Sequence, residues 1–117
     1  MTAPNIVNVT TITGKTAVQA VTASATAIVT NSAASDKVLK VNALYISNVD
    51  GTNAANINVD IHRSSVAYHI AKTVSIPADT TLDILSKSLY LEEGDELRLT
   101  ASATSDLEAI CSYEEIS

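Results

Sequence analysis

The chain has 117 residues and a formal net charge of −6, which suits one hydrophobic core and argues against a nucleic-acid partner, whose affinity rests on Lys and Arg neutralising phosphates. Hydrophobic residues make up 46% of the sequence, but Phe and Trp are absent, so the core has to be built from Val, Ile, Leu and Ala. One cysteine, Cys111, excludes an internal disulfide and a multi-cysteine metal site, and no apolar run approaches the roughly 18–20 residues of a membrane-spanning helix.

Strand signals dominate the chain from its start. Residues 2–13 alternate weakly through Ile6, Val7, Val9 and Ile12, and read either as a first strand or as an arm laid on a neighbouring subunit. The division expected is therefore 1–15 as arm or first strand and 16–117 as the sandwich domain. Asn8-Val9-Thr10 matches the N-glycosylation pattern, but with no export signal ahead of it the tripeptide reads as a piece of strand in a soluble protein. Residues 16–34 mix Ala with Thr, Val and Ser, and the β-branched residues at 21, 22, 26, 28, 29 and 30 favour two strands over a helix. Between Lys37 and Val49 the apolar parity changes, Leu39 and Val41 lying on one and Leu44 and Ile46 on the other. A bulge near Asn42-Ala43 would put all four on one face.

Ile57, Val59 and Ile61 then alternate with Asn58, Asp60 and His62, and Tyr68, Ile70, Val74 and Ile76 are expected to continue such a face. Leu91 to Thr100 reads as two strands joined by the turn Glu92-Glu93-Gly94-Asp95, and Leu107, Ala109, Cys111 and Tyr113 form a last half-buried strand. Short polar breaks at 31–35, 50–53, 63–65, 77–79 and 92–95 space these segments as in a sandwich or barrel. The fold expected is all-β: a single antiparallel β-sandwich, jelly-roll-like, of about eight strands. Because aromatic side chains bury the most area and are few here, stability gained by contact between copies is also expected.

Residues 88–117 hold eight acidic side chains against one base, whereas residues 1–87 hold five acids and six bases. The cluster Glu92, Glu93, Asp95 and Glu96 is accordingly a candidate acidic docking patch, set against the plainer reading of a solvated face. No catalytic constellation emerges, since there is no Gly-x-Ser-x-Gly elbow. Gly14-Lys15-Thr16 lacks the first glycine of a phosphate loop, position 9 being Val. His62 and His69 would need a third ligand to hold zinc. Asp50-Gly51 fails as a calcium loop because Ile57 stands where a bidentate Glu is required, and reads instead as a turn. No cofactor and no metal are expected.

Residues 40–48, 57–61, 68–78 and 91–100 together resemble small virion structural proteins of tailed phages infecting marine bacteria and cyanobacteria, over about residues 37–117. The order of elements is also similar to that of jelly-roll-like assembly modules. The resemblance implies a non-enzymatic, trimeric subunit located in the virion after assembly in the host cytoplasm. Its partners would be the major capsid protein or other virion proteins, and its role that of a cement or decoration protein stabilising the outer capsid surface. A neck, tail or fibre component, acting as adaptor or receptor- or carbohydrate-binding module, is the alternative. In the cement reading, Ile6, Val7, Val9 and Ile12 would contact the shell while the acidic C-terminal region faces outward.

Overall fold

The computed structural model describes residues 4, 5 and 7–117. They form nine strands: β1 (Ile12–Ala20), β2 (Thr26–Thr30), β3 (Val38–Asn48), β4 (Ala55–Arg63), β5 (Val66–Ile76), β6 (Thr81–Asp83), β7 (Leu89–Leu91), β8 (Glu96–Ala101) and β9 (Leu107–Ile116). Pairing is antiparallel and nested about the β4–β5 hairpin: β3 with β6 and β7, β2 with β8, and β1 with β9. Rolling this long ribbon brings β3 against β9 and β4 against β8. One sheet then has the order β1-β9-β3-β6, with β7 also on β3, and the other β2-β8-β4-β5. That is a jelly roll, in which β6 and β7 lie end to end along β3 and together fill one strand position. The count exceeds eight because residues 84–88 interrupt that position: Asp83 Oδ1 accepts the Leu85 N–H at 3.1 Å and turns Leu85 into the core.

Alternation places the core between the two sheets. Leu39, Val41, Leu44, Ile46, Leu107, Ala109 and Cys111 line it from one side, and Ile57, Val59, Leu97, Leu99 and Ala101 from the other. The parity change in β3 is resolved as the sequence suggested. Val41 pairs with Tyr113 and Ala43 with Ser112, leaving Asn42 as the extra residue of a bulge, so all four β3 aliphatics are buried. Residues 16–34 contain two strands, as expected, although the first begins earlier, at Ile12. Asn8-Val9-Thr10 lies ahead of β1 and is not part of a strand, which corrects the sequence reading.

The expected face Tyr68-Ile70-Val74-Ile76 is broken. Val59 pairs with Ala71 and Asp60 with His69, so Ile70 is an extra residue, and a second shift follows between the Val59–Ala71 and Ile57–Val74 pairs. Thr73, in this second bulge, has φ +60° and directs its N–H to Asn58 Oδ1. Each bulge reverses parity. Ala71, Val74 and Ile76 meet the core, whereas Tyr68, opposite Ile61, lies at the free edge and is 59% exposed.

Two buried asparagines hold the loops that reverse the ribbon. Asn31 Nδ2 donates to the carbonyls of Lys37 (2.9 Å) and Leu91 (3.0 Å), while its backbone exchanges bonds with Asp95 and Gly94. Asn48 Nδ2 donates to the carbonyls of Asn53 and Ile76, both at 2.9 Å, and its Oδ1 accepts the Asp50 N–H. Burying an amide is favourable only when its polar atoms are satisfied, and these bonds satisfy them.

Candidate assembly surface

A two-sheet sandwich has four edges, each offering unpaired backbone groups to any strand that can reach it. Three are blunted here. β2 has five residues and a bulge at Ile28, and the Ala27 carbonyl already accepts a bond from Gln19 Nε2 at 2.9 Å. β5 is long but carries two bulges, and β6 and β7 have three residues each. β1 differs. Its nine residues pair with β9 in unbroken register from Ile12–Ile116 to Ala20–Glu108, and among the described residues its backbone makes no hydrogen bond outside that ladder. Its one charge, Lys15, is drawn back over its own sheet to Glu115 Oε2 at 3.1 Å.

The outer face of the β1-containing sheet continues this open edge. Val18 lies opposite Ile110 and Ile110 opposite Tyr45, so three exposed apolar side chains form a row across β1, β9 and β3. Val18 is 74% exposed. Beside the row is a shallow recess of about 330 Å³ lined by Val18, Gln19, Ala20, Ser47, Glu108 and Ile110. Neighbouring positions are small or polar: Thr16 opposite Ser112, and Ala20 and Ser47 both opposite Glu108.

The acidic cluster is not one open patch. Asp95 is fully buried, accepting Arg63 Nε and Nη2 at 2.6 Å each and the Glu92 N–H at 2.8 Å. Burial pushes its carboxyl up, but the Arg63 hydrogen bonds, the Glu92 N–H and the Arg63 charge outweigh this and hold it below its ordinary value. Arg63 is in turn held above its usual range by Asp95. Glu92 shares the same guanidinium at 2.9 Å, and Glu93 Oε2 accepts the Asp36 N–H. Glu96 lies 3.8 Å from His62 Nδ1. These residues tie the β7–β8 turn to the end of β4 and to the 31–37 loop, a structural task that a list of like charges conceals. The missed signal was Arg63, a lone base beside a hairpin turn.

The N-terminal strand and the acidic C-terminal segment share one sheet. β1 and β9 are neighbours throughout, and Glu115 is gripped by Lys37 at 2.7 Å and Lys15 at 3.1 Å, which lower its pKa. Of the four apolar arm residues, Ile6 lies outside the described residues. Val7 is exposed, Val9 is half-buried, and Ile12 opens β1 with 55% exposure.

His62 and His69 both belong to the polar outer face of the second sheet, opposite Ala67 and Asp60 respectively. Asp60, facing Arg98 across β4–β8, pairs with it at 3.1 Å. Among the described residues no three His, Cys, Asp or Glu side chains are grouped to hold a metal ion. Asp50 Oδ1 accepts the Thr52 and Asn53 N–H groups, which lower its pKa and make the loop a self-bonded turn. Cys111 is enclosed in the core, where burial pushes its thiol up to about 11.

No family model matches the chain, and no curated protein matches it. Among solved structures it is similar to one described as "Bacillus endospore appendages form a novel family of disulfide-linked pili", at a TM-score of 0.53 and 12% identity, covering 90% of this chain and 85% of that one. At this identity the likeness concerns the fold: a β-sandwich also used by a pilus protein.

Proposed function

We propose that the chain is a non-enzymatic structural subunit of a phage virion, acting as a decoration or cement protein on the outer capsid surface. The observation that carries the assembly role is the outer face of the first sheet: a row of exposed apolar side chains, Val18, Ile110 and Tyr45, running from an open edge strand. Such a face suits a broad protein surface better than a small molecule, which is normally enclosed in a deep cleft. The virion location rests on the sequence resemblance. Gold-labelled antibody on intact particles tests it: label over the head supports decoration, and label confined to neck or tail replaces it with an adaptor or receptor-binding role. The arm ahead of β1 is tested separately by deleting residues 2–9, which leaves β1 whole; undiminished capsid occupancy would remove Ile6, Val7 and Val9 from the binding site.

The likeness to a pilus protein favours a second reading, a subunit of a filament. In that reading the linkage differs from the disulfides of the similar structure, because the single cysteine is enclosed in the core. Electron microscopy of the purified protein separates the two, fibres supporting the filament and discrete particles the decoration protein.

A further inference from the structure

We infer that β1 is a self-association site, pairing antiparallel with β1 of a second copy about a two-fold axis at Thr16. The first ground is the contrast among edges. An added strand needs a long, regular backbone on both sides, and of the four edges in this molecule β1 alone is long and unbulged. A second copy meets that requirement with the same strand, and an isologous contact of this kind closes after two chains.

The second ground is side-chain complementarity in the fully overlapped register, where Thr16 faces the other Thr16, Gly14 faces Val18, and Ile12 faces Ala20. Directly opposed residues share a face of the sheet. Val18, 74% exposed in the single chain, would then stand beside Gly14, around which the structure has open space where a side chain would be. Ile12, 55% exposed, would stand beside Ala20 at the wall of the recess that Val18, Ala20 and Ile110 line. The contact is reciprocal, so each copy covers both of the other's exposed β1 aliphatics. Lys15 falls opposite Ala17 and not opposite its own copy, so no like charges are forced together.

This contact gives pairs where the resemblance implied trimers, and it does not depend on where in a particle the chain resides. Sedimentation of the full chain over a concentration series tests it. Wild type is expected to sediment as a reversible dimer. Thr16→Lys and Thr16→Asp, each placing like charges face to face at an exposed position, should weaken dimerisation at least tenfold, and mixing the two should restore a dimer. Thr16→Cys supplies an independent readout, because opposed residues in an antiparallel pair lie about 4.5–5.5 Å apart at Cα, within disulfide reach. Oxidation should cross-link that variant into dimers, while Thr81→Cys on the β6 edge remains uncross-linked. A wild-type monomer at every concentration, a trimer, a dimer indifferent to both Thr16 charges, or failure of Thr16→Cys to cross-link would each overturn the assignment.

Discussion

β1 and β5 occupy equivalent places, each at the free edge of one sheet and each rich in exposed aliphatics, yet the chain treats them in opposite ways. β1 runs straight along β9 for nine residues, whereas β5 departs twice from the register of β4. Bulges twist and interrupt an edge so that another strand cannot add to it. Composition alone would rank β5 the greater hazard, since it exposes Val66, Tyr68 and Ile70. The backbone reverses that ranking. Protection of an edge is therefore written in how the strand pairs inward, and β1 is left regular.

The two edges differ most in what lies behind them. β5 hangs on β4, whose Ile57 and Val59 are wholly buried, while the outer row that includes Val18 of β1 is exposed. Ile57→Ala should destabilise the fold by about 3 kcal/mol through lost burial and a residual cavity. Val18→Ala, measured on dilute protein, should stay within about 0.5 kcal/mol. Chemical denaturation of both variants checks the contrast, and equal losses would mean that the apolar row contributes to the core.

A smaller difference is expected between the ion pairs that secure the two edges. Asp95, enclosed and gripped on two oxygens by Arg63, fastens the end of the β4–β5 hairpin; Glu115, itself partly exposed and held by two half-exposed lysines, fastens β1. Asp95→Asn should remove about 2 kcal/mol, below the range for fully buried pairs because Arg63 is half exposed and would be resolvated. Glu115→Gln should remove less, because exposed pairs are screened. Both carboxyls have native pKa values below their ordinary ones. Their contribution is therefore complete above the ordinary carboxylate range and is lost as pH falls through the depressed native values. Thermal unfolding followed from pH 7 downward should show a steep acid limb in wild type and a flatter one in Asp95→Asn. An unchanged limb would transfer acid sensitivity to other carboxylates.

Much of this architecture was legible in residue order. The β3 bulge followed from two pairs of aliphatics with opposite parity, and β8 and β9 from clean alternation, because a strand buried on one face must repeat every two residues. β5 resisted the same reading. Two bulges reverse its parity twice, and residues 68, 70, 74 and 76 only simulate one continuous face. The Ser64-Ser65 turn, with φ values of 52° and 64°, uses a backbone region that asparagine and glycine usually announce. At the acidic turn the sequence supplied charges but not partners: the burial of Asp95 depends on Arg63, 32 positions away, brought to it by the rolling of the ribbon. The open edge of β1 was likewise out of reach, since being an edge is a property of the whole sheet order.

The finest test exchanges the local preferences of the two edges. Gly14 lies in extended β1 with open space around it, so Gly14→Thr should stabilise the single chain by about 0.5 kcal/mol by restricting the unfolded state and favouring a strand. Thr73 is β-branched at φ +60°, a conformation suited to glycine, so Thr73→Gly should also stabilise, by about 0.5 kcal/mol after the entropy of the freer unfolded chain is set against relief of strain. The two gains resemble each other in denaturation and diverge in association. In the proposed pair a side chain at position 14 would meet Val18 of the second copy, so Gly14→Thr should weaken dimerisation while Thr73→Gly leaves it unchanged. A stabilised Gly14→Thr that dimerises as tightly as wild type would remove Val18 from its assigned place, and with it the register centred on Thr16.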